Sequence, residues 1–381
     1  MKRGKKNRIM SAIKKGIFLF FAVSIFGYSY VFASFDTAKE DTHIDKDTEE
    51  KFDAGKYIIE HVLDAYEWHI ASFGEIHITV PLPVILYSNK PELHNDRRFH
   101  IFMSSEFHHG HMDYCGFRIS GSDDYKGKIV ELDQEGGELG RPVLDISITK
   151  TVAGAFISVI VLFIILFSAS RVAKRNRGNA PTGVQNLIEP VIIFIRDEIA
   201  KPTIGEKKFE KFLPFLLTLF FFILLNNLLG LIPVFPFGSN VTGNIAVTMV
   251  LALFTFFVTT IRGNKHYWKE IFNPDVPWWL KFPIPLMPIV ELSGVFTKPF
   301  VLMIRLFANM LAGHMIVAVF ISLIFIFGSL MGPVVGYGIS PVSVAFSVFM
   351  MLLDVLVSFI QAYVFTLLSA IYFGMAVAED H

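Results

Sequence analysis

The stretch that decides the fold is Lys298-Pro-Phe-Val-Leu-Met-Ile-Arg-Leu-Phe-Ala-Asn-Met-Leu-Ala-Gly-His314. It lies inside an apolar run from Pro285 to Leu330, which is longer than the roughly 20 residues that span a bilayer. Arg305 lies deep in that run, and a guanidinium keeps its charge in proteins. Because a charge at the bilayer centre costs at least about 2.5–3.5 kcal/mol, we interpret Arg305 as a functional residue and favour ion movement as its function.

The composition is that of an integral membrane protein, since 53% of the 381 residues are hydrophobic. A further segment, Val184–Ala200, mixes charged residues with Ile and Phe and predicts an amphipathic helix on the membrane surface. The fold class is therefore all-α and polytopic, with a small, mainly β or irregular domain before the first span. The predicted transmembrane helices are Val152–Ser170, Phe212–Ile232, Asn244–Thr260, Pro285–Leu330 and Val342–Val377.

The last two apolar stretches are too long for a simple crossing. At 1.5 Å per residue they would measure about 65–70 Å and more than about 50 Å, against a bilayer core of about 30 Å. They must tilt, bend, for example at Pro288 or Pro299, or each form two segments. The glycine-rich stretch Gly328–Ser340 predicts a turn between them, so the two should pair as an antiparallel hairpin.

Helical periodicity gathers polar residues on one face of each long helix. At about 100° per residue, Asn309 lies about 40° from Arg305, and Glu291 lies within about 40° if the helix stays regular. On the last helix, Asp354, Ser358 and Gln361 share a face by their i, i+4, i+7 spacing.

An antiparallel register fixes the levels of these groups, because opposed residue numbers have a nearly constant sum. One register places Gln361 level with Arg305 and Asp354 level with His314. His314 is nine positions from Arg305 and faces the other way on a regular helix, so direct contact with Asp354 does not follow from the register.

Structural alternatives remain open for each of these residues. Arg305 could pair with a lipid phosphate, and His314 and Asp354 could form an ion pair. Asn309 and Gln361 could join helices, and Glu291 could be an interface carboxylate. The lysine that opens the quoted stretch is interpreted as a snorkelling side chain.

Three domains are predicted along the chain. Residues 1–33 combine a basic lead with the apolar core Gly16–Phe32, which is typical of a signal peptide, with an uncleaved anchor helix as the alternative. Residues 34–147 form a polar extramembrane domain, with strand-like patterns at Ile76–Tyr87 and Arg118–Ile146. Residues 148–381 form the membrane domain.

Few residues suggest a metal site. The cluster His108, His109 and His111 could bind a metal, but an exposed polar loop is favoured because no second ligand cluster with suitable spacing follows. The single cysteine, Cys115, excludes an internal disulfide.

The distribution of basic residues predicts the orientation. Lys and Arg follow or precede the spans on one side, whereas Pro233–Gly243 and Met331–Pro341 contain neither. By the positive-inside rule these two loops are external and the C-terminus is cytoplasmic. The signal peptide predicts the same orientation and places residues 34–147 outside.

The chain resembles subunit a of the F-type ATP synthase over roughly residues 150–381. The stretch from Arg305-Leu-Phe to Gly313 is similar to the core motif of that family, and Gln361–Tyr372 is similar to its last helix. Asn227–Pro233 and Thr242–Thr248 resemble two further segments.

The resemblance implies a role for each candidate residue. Arg305 would face the essential carboxylate of the rotating c-subunit ring, and Gln361 would position it. The residues lining the external half-channel would be Asn227, Asn244, His314 and Asp354, with Ser358 and Asn309 along the proton pathway. Glu291 would lie on the cytoplasmic exit.

The resemblance also implies partners and a location. The partners would be the c ring, the peripheral-stalk subunit b and other synthase subunits in a bacterial inner membrane, with lipid around them and no nucleic acid. The chain would be non-catalytic and would need no cofactor. It contains no Gly-x-x-x-x-Gly-Lys-Ser/Thr phosphate-binding loop.

Three departures from the family pattern stand out. The signal peptide and the domain at 34–147 exceed the common family pattern, and the resemblance says nothing about their function. His314 and Asp354 exchange the acid and imidazole of many bacterial members, which keeps both residue types, and histidine titrates near neutrality. Asn244 stands where many members have Asp, which weakens its role as a proton carrier. The alternative functions are a proton- or sodium-coupled secondary transporter, which would predict inverted repeats, and a non-transporting anchor, which would leave Arg305 unexplained.

Overall fold

The computed structural model describes residues 64–73, 76–94, 96–110, 112–122, 124–176, 180–232, 235–272 and 286–378. The predicted signal peptide, His111 and the last three residues lie outside the described residues, as does the side chain of His109. The described residues fall into two compact units, one within Met1–Phe156 and Ile232–Ser239, the other within Ile157–Leu231 and Asn240–His381.

The first unit is built from short antiparallel strands. Strands β1 and β2 form a hairpin, β3 is central in a three-stranded sheet of order β4-β3-β8, and β6 is central in a sheet of order β5-β6-β7. The strands are β1 (Glu67–Phe73), β2 (Ile76–Pro81), β3 (Pro83–Tyr87), β4 (Phe99–Met103), β5 (Phe117–Ile119), β6 (Ile129–Leu132), β7 (Glu138–Gly140) and β8 (Leu144–Asp145).

The core of this unit follows from strand alternation. Val84 and Leu86 point from β3 to one side, where they pack with Phe107, Phe117 and Ile129, all fully buried. The predicted strand at 76–87 is thus two strands, which separate at Leu82 between two prolines.

The first helix, α1 (Lys150–Arg175), begins directly after this unit's last strand. Asp64 provides a hydrogen-bond acceptor at the N-terminus of this helix. Its Oδ1 accepts a hydrogen bond from the Thr151 N–H at 3.0 Å. Asp64 Oδ2 accepts from the Thr149 hydroxyl at 2.7 Å. A carboxylate at this position also complements the helix dipole.

The other helices run through the second unit. They are α2 (Gln185–Phe194), which continues through a π-helical turn (Ile195–Ala200) into α3 (Lys201–Ile204), then α4 (Phe209–Gly230), α5 (Ile245–Arg262), α6 (Lys265–Phe272), α7 (Leu286–Met331) and α8 (Pro333–Val377). Among the described residues, five helices are long and apolar enough to cross a membrane, namely α1, α4, α5, α7 and α8. This number agrees with the sequence prediction.

The long hairpin α7–α8 departs from one prediction. The glycine-rich stretch 328–340 is helical except at Gly332. The positive φ of 94° at this one residue reverses the chain between α7 and α8. Pro333 then occupies the first turn of α8, where a missing N–H costs nothing. The nearby glycines allow close helix contact instead, since a Cβ on Gly336 would lie 2.9 Å from the Gly328 Cα.

The hairpin register matches the predicted levels. The Phe320 and Phe346 rings stack with centroids 5.4 Å apart. A Cβ on Gly313 would lie 2.7 Å from Asp354 Oδ1. Both contacts fit the antiparallel pairing that makes Gln361 level with Arg305.

A large apolar core joins α8 to α4, α7 and the π-helical turn. Leu216 and Ile223 on α4, Leu302 on α7 and Phe373 on α8 are at most 1% exposed. The end of α8 is anchored by hydrogen bonds that satisfy its last carbonyls. The Asn264 N–H donates to the Ala376 carbonyl at 2.8 Å, and Lys208 Nζ donates to the Val377 carbonyl at 2.9 Å.

Candidate functional site

Arg305 lies on an exposed stripe of α7. Leu302, Leu306 and Met310 are buried in the core and fix the rotation of the helix. On the face of α7 opposite the core, residues spaced by three or four positions are exposed and form a stripe, here called the outer stripe. Arg305 is its charged residue. The outer stripe comprises Val301, Ile304, Arg305, Ala308, Asn309, Ala312, Met315 and Ile316.

The outer stripe is unusual because a charge stands among apolar and small residues midway along a membrane helix. Because Ala308 and Ala312 have small side chains, no large side chain covers the helix surface beside Arg305 and Asn309. Shallow, small-residue surfaces let another helix approach closely in a membrane. A buried charge in lipid needs a partner, so this surface can receive a helix that carries an opposite charge.

The polar residues of α8 turn inward at the same level. Gln361 is 7% exposed and Ser358 is fully buried. The Ser358 hydroxyl donates to the Asp354 carbonyl at 2.7 Å, so it is satisfied within its own helix. The register brings Gln361, rather than Ser358, to the level of Arg305.

Asp354 packs against Gly313, the residue before His314. Within the described part of the chain, the buried Oδ2 atom of Asp354 has no hydrogen-bond partner. His314, the next residue along α7, is half-buried. The hairpin thus brings an acid and an imidazole to one level, as the number sums predict.

Asn227 and Asn244 have different roles in the structure. Asn227 is fully buried and its Oδ1 accepts from the Thr242 hydroxyl at 2.5 Å. Asn244 instead caps α5, because its Oδ1 accepts from the Ala246 N–H at 2.9 Å. The capping bond gives Asn244 a structural function that the sequence prediction did not include.

Glu291 lies near the start of α7, half-buried and close to Tyr267 of α6. Burial, together with the Glu291 carboxylate, raises the pKa of Tyr267. Lys298 lies between the levels of Glu291 and Arg305, with its Nζ 5.7 Å from the centre of the Tyr372 ring.

A small cavity of about 20 Å³ opens beside Lys298. The lining residues with polar groups are Thr255, Thr259, Tyr267, Lys298 and Tyr372, and apolar side chains such as Val295 and Leu302 complete the wall. This volume holds about one water molecule, and the lining supplies both donors and acceptors. Lys298 therefore borders a small cavity with both polar and apolar walls, and its interpretation as a snorkelling side chain stays a prediction.

Sequence reasoning missed several buried hydroxyls between α5 and α8. Thr255 Oγ1 and Ser369 Oγ lie 3.4 Å apart, and both residues are at most 1% exposed. Small polar residues inside apolar helices are the available signal, because they often join helices in membranes. The histidine cluster stays a prediction, because His111 and the side chain of His109 lie outside the described residues; His108 is exposed, and the described residues contain no group of three metal ligands.

These features define the class as a polytopic α-helical membrane protein with an arginine exposed midway along its penultimate helix. A family model described as ATP synthase A chain matches residues 154–374, more than half of the chain, and the chain belongs to this family. The family is that of F-type ATP synthase subunit a, as the resemblance implied. A second family model, a domain of unknown function (DUF8433), matches residues 57–146.

Curated relatives support the same assignment. The chain is 46% identical over 245 residues to ATP synthase subunit a of Chloroherpeton thalassium, covering 62% of this chain and 69% of the relative. It is 45% identical to ATP synthase subunit a 2 of Chlorobaculum tepidum, covering 64% and 68%. It is 41% identical to ATP synthase subunit a of Myxococcus xanthus, covering 67% and 80%.

Proposed function

We propose that the chain is the stator subunit of a rotary ATP synthase, and that it provides two offset half-channels for protons. The observation that carries the proposal is the exposed Arg305 on the outer stripe of α7. A cation on a helix surface that lies within the hydrocarbon region of the membrane requires an anionic partner. The essential carboxylate of a c-subunit ring supplies that partner.

Directional rotation follows from the cost of an ionised carboxylate in lipid. A ring carboxylate that has lost its proton stays beside Arg305, because its ionised form is poorly tolerated in the apolar phase. A protonated carboxylate is neutral and can turn away into lipid. The fixed guanidinium also repels a proton, so it separates the two half-channels.

The entry half-channel is assigned to the polar groups on the turn side of Arg305. Asp354 and His314 lie about 13 Å along the hairpin from Arg305 at 1.5 Å per residue. Asn227 and Ser358 extend this set, and Asn244 shapes it by capping α5. Gln361 positions Arg305, and Asn309 extends the polar part of the outer stripe.

The exit half-channel is assigned to the groups near the start of α7. Glu291 is its carboxylate, and Tyr267 and the cavity beside Lys298 lie between Glu291 and Arg305. Each proton that crosses a potential of 100 mV releases about 2.3 kcal/mol, so several must combine to drive one ATP.

The remaining assignments complete the proposal. The chain sits in a bacterial inner membrane beside the c ring and peripheral-stalk subunit b, with the C-terminus cytoplasmic. Residues 1–33 act as a signal peptide, and residues 34–147 form an external domain before the membrane domain at 148–381. The lack of Lys and Arg in residues 233–243 and around the turn at 331–341 supports this orientation.

The first test measures ATP-driven acidification of membrane vesicles. Arg305→Ala should abolish pumping while the complex still assembles, because the variant removes the partner of the ring carboxylate. Arg262→Ala is the matched control, since Arg262 is also exposed but ends α5. Normal pumping by an assembled Arg305→Ala complex would contradict the proposal.

A second test locates the ring. Cys115 is the single native cysteine, so Cys115→Ser gives a clean background for Arg305→Cys. Disulfide crosslinking to cysteines placed along a c-subunit helix should peak near its middle. Movement of a solute by the purified chain without any ring would instead favour the transporter function.

A further inference from the structure

Two ionisable side chains are buried side by side in the first unit. His94 is fully buried and Glu131, on β6, is 4% exposed. His94 Nε2 lies 3.8 Å from Glu131 Oε1. Burial of such groups is costly unless they are paired, and no role in the membrane site requires them.

The surrounding residues fix the orientation and the tautomer of the His94 ring. Its Nδ1 lies 2.9 Å from the Cys115 carbonyl oxygen, which can only accept, so Nδ1 carries a hydrogen. The ring stacks on Phe117 with centroids 4.1 Å apart and planes 2° apart. Gly116 completes the contact, since a Cβ there would lie 2.8 Å from Nδ1.

This tautomer creates a conflict at the other nitrogen. In a neutral ring, Nε2 presents a lone pair to the Glu131 carboxylate, so two acceptors face each other. Among the residues that the structure describes, neither atom has a hydrogen-bond partner. A proton on Nε2 would remove the conflict and would create a charge-assisted hydrogen bond, for which a separation of about 2.7–2.9 Å is typical.

The neighbouring groups decide which side chain takes the proton. Lys90 Nζ lies 3.5 Å from Glu131 Oε2 and favours the ionised carboxylate. The His100 ring lies 5.6 Å from the His94 ring, and burial lowers the pKa of His100, which favours its neutral form. Further titratable groups near these rings are Arg97, whose positive charge also lowers the pKa of His100, and the Cys115 thiol and Tyr114 phenol of the adjoining turn.

We propose that His94 and Glu131 form a proton-binding site in the first unit. The ring takes a second proton at Nε2, and the resulting imidazolium–carboxylate pair joins β6 to the segment that follows β3. The imidazolium–carboxylate pair stabilises the unit only while the proton is bound, so the unit gains stability as pH falls and loses it as pH rises.

The test uses the full chain in lipid nanodiscs. Backbone amide exchange is measured on a peptide covering residues 117–132 at pH 6 and pH 8, after correction for the chemical exchange rate. Exchange in the unaltered chain should be several-fold slower at pH 6, since one proton changes the unfolding equilibrium by at most about tenfold per pH unit.

Glu131→Gln is the decisive variant. Its carboxamide N–H can donate to the Nε2 lone pair of a neutral ring, so it replaces the shared proton at every pH. Exchange should then be slow at both pH values, and the difference between them should disappear. His100→Gln is the matched control, because it alters the other buried histidine and should keep the response.

Two results would overturn the proposal: equal exchange at both pH values in the unaltered chain, or a full pH response in folded Glu131→Gln. If that variant does not fold, a second measurement on the unaltered chain replaces it. The exchange rate of the His94 C2 hydrogen is recorded against pH and reports the protonation of the ring. A His94 ring that stays in one protonation state from pH 5 to pH 9 would also overturn it.

Discussion

The two halves of α8 are equally apolar, but they have different surroundings. In residues 358–377, ten positions are buried, and they cover a wide face of the helix. In residues 333–357, four positions are buried, Gly336, Ser343, Ser347 and Met351, and they form a narrow stripe toward α7. Several large side chains in this half are exposed. Val334 is 84% exposed and Tyr337 is 76% exposed.

The difference shows where the site can form. The C-terminal half packs against α4, α5 and α7, so it fixes a rigid frame. The N-terminal half packs on α7 and leaves its other faces for lipid or partner subunits. Gln361, level with Arg305, lies at the boundary between the halves. The arginine therefore stands where a rigid bundle meets an uncovered surface.

The largest effect on this comparison is expected from Phe373→Ala. Phe373 is fully buried in the packed half, and its ring stacks on Phe212 at 5.1 Å. Its removal should leave a cavity and cost about 3–5 kcal/mol of stability. Detergent-induced unfolding in mixed micelles measures the change.

The matched control for that variant is Phe349→Ala in the open half, where the ring is 54% exposed. Its effect on the isolated chain should stay within about 0.5 kcal/mol. Equal losses for the two variants would show that the halves do not differ in packing.

A smaller loss of stability is expected from Gly313→Ala. This variant tests the packing near the boundary between the two halves of α8. The new Cβ would lie 2.7 Å from Asp354 Oδ1 and must push the carboxylate away. Overpacking of this kind costs about 1–3 kcal/mol. Vesicle acidification should fall together with stability, because the displaced acid belongs to the proposed entry half-channel.

Gly294→Ala is the control on the same helix, since a Cβ there meets nothing within 4 Å. It should leave both pumping and stability unchanged or slightly improved, because Ala is a better helix former. Full pumping by Gly313→Ala would show that the position of Asp354 is unimportant for the path.

The smallest effect is expected from Lys208→Met, which loosens the end of the packed half. The variant removes the bond from Lys208 Nζ to the Val377 carbonyl and should cost about 1 kcal/mol. Amide exchange over residues 370–378 should become faster. Lys211→Met, on an exposed position of α4, should leave that exchange unchanged.

The membrane part of the fold was accessible to sequence reasoning because helical periodicity and bilayer thickness constrain it strongly. The five spans and the level of Asp354 opposite residues 313–314 followed from these rules. The turn was misplaced because Gly328 and Gly336 could equally mark a loop or a close helix contact. Their sequence positions are the same in both cases, and the difference is visible only after the helices pack.

Sites that depend on distant packing were less accessible. His94 and Glu131 come together from separate elements of the first unit, and neither belongs to a recognisable motif. Asn244 was assigned by resemblance to a channel, although its position before α5 also allows a helix cap. Lys298 was judged from its helix alone, whereas its cavity needs residues from three other helices.

The anchor at the end of α8 has a consequence for biosynthesis. Lys208 is synthesised 169 residues before Val377, whose carbonyl it binds. The bond can therefore form only after residue 377 has been synthesised. A chain truncated before residue 377 would lack this bond, so the end of α8 would lose its link to the residue that precedes α4.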